Sequence, residues 1–486
     1  MHLRSVFRLV AQILIFIAIL MVIPAVIALA HGEEKAFMGF FLSIGIIVAI
    51  GLYVTRWTDG EDYRSFTARD GFLFTTMTWI LATAFGALPL LIAGTFPDFS
   101  SCFFEIMSGF TTTGATAMTD IESNFKSILF WRSMTNWLGG MGIVVLFVAF
   151  LPALGASAGT FHLMGAESVG PVKGKLTPKT QTTAILLWGI YLGFTILETV
   201  FLMLGGLNLY DAVTVSFSTL SAAGFCVKNS SIGTFNSSYV EIVVTVFMLI
   251  SGANFALYYK AFTGKIRDCL KNTELRWYLA IVALASVLGS VWLLAEGTFP
   301  TFGEALRKMS FHVISIITTT GFATADYTLW PTFPVMLLFL VTFIGGCAGS
   351  AGGGVKVVRV SVAAKSGVNL IKKKIHPMSV VQLKDSDGVV TPDVVHSIFC
   401  FLGAYIITWL IGCVIISMSG IDLLTCASAT ILTLGNIGIG FGNIGPTGSF
   451  ALFPLWTRWV FSFLMLVGRL ELFTVYVLFS RTFWKR

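Results

Sequence analysis

Long apolar stretches alternate with short, half-apolar segments along most of the chain. Ten stretches are long enough to cross about 30 Å of hydrocarbon, which takes roughly 20 helical residues. The ten predicted spans begin near Phe7, Phe37, Phe72, Ile128, Ala184, Val240, Leu279, Val335, Val394 and Leu452. A segment too short to cross follows the third, fifth, seventh and ninth spans. Each such segment predicts a pore helix that enters the membrane and returns.

Each short segment ends in a glycine preceded by small, hydroxyl or amide residues. These glycines are Gly114, Gly224, Gly321 and Gly438, spaced about 100 residues apart. Solenoid units run about 20 to 50 residues, so a repeat of this length must contain several helices. The pattern predicts an all-α polytopic membrane protein in which four helix–pore-helix–helix repeats surround one pore, preceded by two additional N-terminal transmembrane helices.

Five units follow from this layout. Residues 1–66 hold the two additional helices, and residues 67–155, 181–265, 275–375 and 390–486 are pore repeats 1 to 4. The first apolar stretch could instead be a signal peptide, since Ala28-Leu-Ala30 resembles a cleavage site. Its length exceeds the usual apolar core of a signal peptide, which favours a retained span.

Composition and charge agree with a membrane protein. The chain is 56% hydrophobic and 11% charged, whereas soluble domains carry roughly a quarter charged residues. With the N terminus inside, 23 of the 31 basic residues fall on inner loops, as the positive-inside rule requires. The net charge of +7 therefore reflects membrane topology, and no nucleic-acid partner is indicated.

An acid precedes each of the four glycines by 13 to 17 residues. These acids are Asp98, Asp211, Glu304 and Asp422. An acid near the start of a short helix stabilises its N terminus through the helix dipole, so helix capping is one interpretation. A negative vestibule that concentrates cations is the other, and both can hold together.

The four glycine segments have the chemistry of a cation site. A pore helix points the negative end of its dipole toward the membrane centre, and the backbone after it is tolerated there only if it lines a cavity. Glycine permits positive φ and leaves no side chain in the way, so four such segments can form a ring of carbonyls. No carboxylate lies in them, which favours a weakly hydrated monovalent cation.

The eighth span contains six glycines in ten residues, and such a run breaks a helix. We expect the break to lie under the filter, where the loop could obstruct ions; a close helix crossing is the alternative. The glycines of this predicted gating loop are Gly345, Gly346, Gly349, Gly352, Gly353 and Gly354.

The tenth span contains an arginine, Arg469, at membrane depth. An intramembrane arginine faces protein or water, so we predict that Arg469 projects toward the pore below the filter as an electrostatic barrier. A structural pair with a carbonyl or acid elsewhere is the alternative. Glu471 lies on nearly the opposite helix face, so the two should not pair directly.

Four pore repeats with one filter glycine each, a glycine-rich break in the third and an arginine in the last helix resemble a known family. They are similar to the membrane subunit of the bacterial Trk potassium uptake system, the TrkH/TrkG type of the Trk/Ktr/HKT superfamily. The resemblance covers essentially the whole chain. It implies potassium (and rubidium) conduction in the bacterial inner membrane, lipid contact, a homodimer with one pore per subunit, and a cytosolic nucleotide-binding subunit of the TrkA type.

The resemblance also implies the filter ligands, which are backbone carbonyls of the four segments. They are Thr111, Thr112, Thr113 and Gly114; Leu220, Ser221, Ala222, Ala223 and Gly224; Thr318, Thr319, Thr320 and Gly321; and Gly435, Asn436, Ile437 and Gly438. Gly114 stands where some plant relatives that prefer sodium have serine, which favours potassium. The fourth segment departs most from the Thr-Gly pattern, so its register is the least secure.

Two other function classes compete with a channel. A proton- or sodium-coupled secondary transporter normally has inverted repeats, several broken helices and midplane acids, whereas only one span here looks broken and Glu198 and Glu471 are the main deep acids. An enzyme is disfavoured, because Gly440–Gly445 matches a dinucleotide motif but follows a pore helix and not a strand. The basic loops 260–276 and 356–384 are either docking sites for the regulatory subunit or topology determinants.

Overall fold

Helices make up nearly all the regular structure in the described part of the computed structural model. That part comprises residues 2–58, 67–143, 145, 180–379, 382–385 and 388–485. Four predicted unit boundaries, at residues 1, 66, 155 and 486, lie outside it, as do the basic residues Arg64, Lys173, Lys175, Lys179 and Arg486. The bounds of the five predicted units stay a prediction.

The chain begins with apolar helices. Helix α1 packs against α3 and against α4, the first helix of the first repeat. The helices up to residue 143 are α1 (Leu3–Leu20), α2 (Val22–Ala30), α3 (Glu34–Trp57), α4 (Ala68–Gly86), α5 (Leu88–Ala93), pore helix α6 (Phe99–Phe110) and α7 (Lys126–Gly140). Trp131 of α7 locks this packing, because its indole N–H donates to the Gly86 carbonyl at 3.0 Å and its ring meets Phe40 and Phe110 edge-on.

The second and third repeats use the same order of elements. The second has α8 (Thr180–Leu204), pore helix α9 (Leu209–Leu220), a 3-10 turn (Ser231–Phe235), α10 (Ser238–Ser251), α11 (Phe255–Phe262) and α12 (Ile266–Lys271). The third has α13 (Thr273–Ala295), pore helix α14 (Phe302–Ile317), a 3-10 turn (Tyr327–Leu329), α15 (Thr332–Val341) and α16 (Val357–Ile375). A small antiparallel hairpin follows, with β1 (Lys384–Asp385) paired to β2 (Gly388–Val389).

The fourth repeat closes the molecule against the first. Its elements are α17 (Pro392–Ser417), pore helix α18 (Leu423–Gly435), 3-10 turns (Gly442–Ile444 and Phe450–Leu452), α19 (Leu455–Arg469), α20 (Phe473–Tyr476), a 3-10 turn (Val477–Phe479) and α21 (Arg481–Trp484). Pore helix α6 packs against α19, α9 against α7 of the first repeat, and α14 against α10 of the second. The repeats therefore follow one another around a ring.

The predicted fold class, a polytopic all-α membrane protein, is confirmed. By length and apolar character six helices among the described residues can cross a membrane, or up to eight if each of two bent pairs counts as one span. The other two predicted spans begin on α7 and α15, which the structure describes as helices of 15 and 10 residues. Outer helices expose apolar side chains such as Phe41, Val414 and Ile407, as expected of a lipid-facing surface.

The prediction of a single broken span is wrong. The helix pair α10 and α11 bends by 94°, and α19 turns by 110° into the segment Phe473–Phe479. The first bend follows Ser251 and the second lies directly after Arg469. A hydropathy pattern could not predict either break, because apolar residues continue on both sides.

The capping interpretation of the four acids holds for the pore helices. Asp98 and Asp422 are N-cap residues that accept the backbone N–H three residues on, as N-caps do. Asp211 and Glu304 instead lie in the first turn, behind the N-caps Asn208 and Thr301. Each pore helix therefore starts at a defined residue. This start fixes the position of the C-terminal end of the helix and of the filter segment that follows it.

We expect Asp422→Ala to lower the apparent Tm of the purified protein, because losing an N-cap costs about 1 kcal/mol. The Asp422 carboxylate accepts the Thr425 N–H at 2.9 Å and the Asn443 amide at 3.1 Å, and the Thr425 bond holds its pKa below the usual value. This stabilisation is present at neutral pH and is lost as the pH falls through that lowered pKa. Asp422→Asn keeps the cap, so an equal loss in both variants would contradict the assignment.

A candidate ion pore at the centre of the four repeats

The four predicted filter segments share one feature of the backbone. The residue two positions before each glycine has a positive φ: Thr112 at 55°, Ala222 at 56°, Thr319 at 63° and Asn436 at 55°. Gly114, Gly224 and Gly321 also have positive φ, at 76 to 79°. Left-handed non-glycine residues are uncommon and cluster at functional sites. Asn436 gives the divergent fourth segment the same register as the other three.

The N–H groups of these segments bond back to their own pore helices. Thr113 donates to the Ser108 carbonyl at 2.8 Å, Ala223 to Ser218 at 3.0 Å and Gly321 to Ser315 at 3.1 Å. In the fourth repeat Ile437 donates to Leu432 at 2.8 Å. Between described residues, no hydrogen bond ends on a carbonyl of 112–114, 222–224, 319–321 or 436–438. Those oxygens keep their acceptor capacity for another partner.

The filter glycines bring the four segments together in a closed ring. A methyl group on Gly114 would lie 1.8 Å from the Ala223 carbonyl oxygen, and one on Gly224 would lie 1.9 Å from that of Thr320. A methyl group on Gly321 would lie 2.9 Å from the Gly438 nitrogen, and one on Gly438 would lie 2.8 Å from the Gly114 carbonyl. Each repeat thus touches the next, and glycine is needed for the approach.

Side chains hold the filter loops from behind. The Thr111 and Thr113 hydroxyls lie 2.8 Å apart, as do those of Thr318 and Thr320. The Asn436 amide donates to the Thr113 hydroxyl at 3.1 Å and to the Met465 carbonyl at 3.0 Å. All these residues are buried. Hydrogen bonds within the protein therefore hold these loops in place.

The glycine-rich segment forms a loop between α15 and α16 that touches the filter. The Gly353 N–H donates to the Thr319 hydroxyl at 2.8 Å, and a methyl group on Gly352 would lie 2.4 Å from the Thr318 carbonyl. A methyl group on Gly353 would lie 2.5 Å from the carbonyl of Gly435. The loop thus lies against the bases of the third and fourth filter segments.

The remaining loop glycines fold the loop back on itself and onto the second repeat. Gly345, Gly349 and Gly354 have positive φ, and Gly345 lies against Gly354 where the loop closes. The Gly346 carbonyl accepts the Val357 N–H at 2.9 Å, and the Gly349 carbonyl accepts the Phe255 N–H at 3.1 Å. The bend after α10 and the glycine loop therefore contact each other.

The guanidinium of Arg469 joins three repeats beneath the filter. It donates to the Thr112 hydroxyl at 3.1 Å and the Ala351 carbonyl at 2.8 Å, and to the carbonyls of Gly139 and Gly140 at 2.5 and 2.9 Å. Its neighbours thus include the first filter segment, the glycine loop and the end of α7. The carbonyl contacts are those of the alternative interpretation, and the electrostatic barrier stays a prediction.

A group of buried charges that the sequence pattern does not predict lies beside this loop. Lys356 and Arg359 counted as inner-loop basic residues, but the structure buries both, at 1% and 4% exposure. Lys356 donates to the Gly352 carbonyl, and Arg359 pairs with Glu471 at 2.7 Å. Glu274 accepts the Ala348 N–H at 2.6 Å. Both carboxylate oxygens of Glu471 accept from Arg359.

Known proteins resemble this chain over its whole length. The TrkH family profile, described as a cation transport protein, matches residues 36–486. The Trk system potassium uptake protein TrkH of Halomonas elongata is 35% identical, with 100% of both chains covered. Its counterpart from Escherichia coli K12 is 33% identical at the same coverage. The TrkG protein of that organism is 34% identical over 100% of this chain and 99% of its own.

A solved structure matches the fold and the sequence together. The crystal structure of the potassium transporter TrkH from Vibrio parahaemolyticus superposes with a TM-score of 0.89, at 34% identity and full coverage of both chains. The chain is a multi-pass protein of the inner membrane. The relatives are transport proteins, which confirms the prediction that it is not an enzyme. The chain belongs to the TrkH family of cation transport proteins.

Proposed function

We propose that this protein takes up K⁺ across the inner membrane through one pore built by its four repeats. The closed ring of the four filter segments is the observation that carries the proposal. The relatives named as potassium uptake proteins, at 33 to 35% identity over their full lengths, support K⁺ as the transported ion. The chain itself needs no organic cofactor in this function.

Backbone carbonyls of the four segments are the proposed ligands. N–H groups of these segments donate to carbonyls of the pore helices. The carbonyls of residues 112–114 and their equivalents accept no hydrogen bond from described residues. Each segment also follows the C-terminal end of a pore helix, where the dipole favours a cation. A ring of such oxygens can replace the hydration shell of K⁺.

We expect Gly114→Ser to lower the K⁺-to-Na⁺ permeability ratio about fivefold, a change of about 1 kcal/mol. A side chain at this position would push the Ala223 carbonyl out of the ring, since its Cβ would lie 1.8 Å away. The ratio comes from reversal potentials in bilayers with K⁺ on one side and Na⁺ on the other. Such potentials do not depend on how many copies are folded.

Gly94→Ser is the matched control for this substitution. Gly94 has φ of 75°, close to the 78° of Gly114, but no atom lies within 4 Å of its added Cβ. The control therefore carries the same backbone strain without the contact. A ratio unchanged by Gly114→Ser would remove the glycine ring from the account of selectivity.

The glycine loop and Arg469 are the proposed gate. The loop touches the third and fourth filter segments, and Arg469 places a positive charge next to the first. Together they put backbone and a cation directly under the ring. The loop contacts the bend after α10 as well. A movement of α11 and α12, which follow this bend, would therefore reach the loop.

A cytosolic, nucleotide-binding subunit of the TrkA type is the proposed regulator, and a homodimer the proposed assembly. The relatives are named as parts of a Trk system, which supports a multi-subunit assembly. Lys372, Lys373 and Lys374 at the end of α16 are exposed and form a basic surface for docking. Uptake of K⁺, Rb⁺ and Na⁺ measured with and without the subunit tests the function and the partner together.

Coupled secondary transport is the second candidate, and two observations favour it. Spans are interrupted at three places, after Ser251, after Val341 and after Arg469, which is typical of transporters. Glu198 is fully buried, and neither of its carboxyl oxygens has a hydrogen-bond partner among the described residues. Resolvable single-channel currents would decide for the channel, whereas their absence under every regulatory condition would decide for coupled transport.

A further inference from the structure

A buried ion pair holds the chain just beyond the first filter glycine. Glu105, on pore helix α6, is fully buried and lies 2.6 Å from the guanidinium of Arg132 on α7, which is 1% exposed. Its other carboxylate oxygen accepts the N–H of Ala117 at 2.9 Å. The ion pair therefore ties the segment that leaves the filter, residues 115–117, to the pore helix that enters it.

Thr116 closes this arrangement into a triangle. Its hydroxyl donates to Glu105 at 2.7 Å and accepts from Arg132 at 3.2 Å. Every pair among the three side chains is thus hydrogen-bonded. We call Glu105, Arg132 and Thr116 the filter clamp. A hydrogen-bonded network with a buried ion pair specifies one geometry, because a broken bond leaves Glu105 or Arg132 short of a partner where water is largely excluded.

The filter clamp also contacts the two neighbouring repeats. The Arg132 guanidinium lies 4.1 Å from the ring centre of Phe225, the residue after the filter glycine of repeat 2. The Thr116 carbonyl accepts the Phe450 N–H of repeat 4 at 2.9 Å. A shift of the clamp would therefore disturb its contacts with the residue after the second filter glycine and with repeat 4.

Other repeats anchor the equivalent N–H with neutral side chains. The position nine residues before the glycine is Glu105 in repeat 1 and His312 in repeat 3. The Thr324 N–H, three residues past its glycine as Ala117 is, lies 3.5 Å from the His312 ring. In repeat 4 the Ser428 hydroxyl accepts the equivalent Phe441 N–H at 2.8 Å. Repeat 1 thus places an ionic pair at a position where these two repeats use neutral groups.

Burying an ion pair brings little net stability, since desolvation offsets the attraction. Its geometric effect is larger, because two nitrogens of the Arg132 guanidinium contact one carboxylate oxygen of Glu105 through charge-assisted bonds, which fix distance and orientation. From this we infer that the filter clamp is a positioning site that sets the spacing of the first filter segment, and so contributes to discrimination between K⁺ and Na⁺. The inference rests on the proposed filter function.

Reversal potentials under K⁺/Na⁺ gradients test the inference in the full-length reconstituted protein. Glu105→Gln removes the charge and one acceptor, and Thr116→Val removes only the hydroxyl. We expect each to lower the K⁺-to-Na⁺ permeability ratio about threefold, in line with the loss of one net hydrogen bond. Thr116→Ser keeps the hydroxyl and should keep the ratio. A residue that only stabilised the fold would change the number of active copies and leave the ratio as it was.

Glu122→Gln is the matched control, because Glu122 pairs with Lys228 in a partly exposed bridge of 3.5 Å. It should leave the ratio unchanged. If Glu105→Gln does not fold, Thr116→Val decides. Unchanged ratios in the clamp variants, with a lowered ratio in Gly114→Ser, would overturn this inference and leave the proposed filter standing. Unchanged ratios in all of them, Gly114→Ser included, would overturn both.

Discussion

Replacing Arg469 with alanine should raise K⁺ flux through the reconstituted protein about tenfold. A guanidinium about 10 Å from an ion repels it by about 1.7 kcal/mol at an effective dielectric constant of about 20, and each 1.4 kcal/mol corresponds to about a factor of ten in rate. The contact with Thr112 places the charge at the base of the filter. Rubidium uptake per folded protein in proteoliposomes measures the change.

Arg469→Lys separates the charge from the hydrogen bonds. Lysine keeps the positive charge but cannot reproduce the planar fork that reaches Ala351, Gly139 and Gly140. If the barrier is electrostatic, the lysine variant stays close to the wild-type flux. Equal increases in both variants would assign the effect to the lost contacts. Reduced flux in well-folded Arg469→Ala protein would make Arg469 a structural residue.

The sequence predicts the filter segments well because their signal is local. Small residues, a glycine and a preceding half-apolar helix recur in each repeat, and the structure gives all four one backbone register. The fourth segment lacks the threonines, but asparagine adopts the left-handed conformation more readily than most other non-glycine residues. Asn436 at 55° is therefore the residue that could have fixed the register from sequence. The ligand role itself stays a prediction.

What the sequence could not predict depends on contacts between distant parts of the chain. Arg359 looked like an inner-loop cation, but it is buried where it pairs with Glu471, 112 positions away, and lies over the Phe401 ring. The bend after Ser251 is held by the glycine loop, where Cys347 donates to the Gly252 carbonyl at 2.9 Å. Hydropathy records none of these contacts, since it sums residues along one segment.

Deleting residues 346–353 should raise K⁺ flux about thirtyfold, as expected if an obstruction worth about 2 kcal/mol is removed. The structure allows the deletion, because the loop ends meet: a methyl group on Gly345 would lie 3.0 Å from Gly354, and the Lys356 N–H bonds the Ile344 carbonyl at 2.8 Å. The remaining chain can therefore be joined without stretching.

The deletion leaves the hydrogen-bond partners of the loop unpaired, and a point variant in the loop avoids this effect. Gly352→Ala would place Cβ 2.4 Å from the Thr318 carbonyl and should displace the loop from the filter, raising flux about threefold, or about 0.7 kcal/mol. Gly367→Ala on α16 is its control, since nothing lies within 4 Å of the added carbon. Lower flux in a monodisperse deletion protein that still selects K⁺ would reverse the assigned role of the loop.

A double variant that combines Arg469→Ala with the deletion of residues 346–353 tests whether the loop and the arginine form one barrier. Arg469 donates to the Ala351 carbonyl inside the loop, so the two groups are in direct contact and additivity of their effects has to be measured. If the arginine acts mainly by holding the loop in place, Arg469→Ala in the deletion background raises flux no further. If its charge acts on the ion directly, the substitution still raises flux about tenfold after the loop is gone. The flux of this variant relative to the deletion alone therefore separates a latch from an electrostatic barrier.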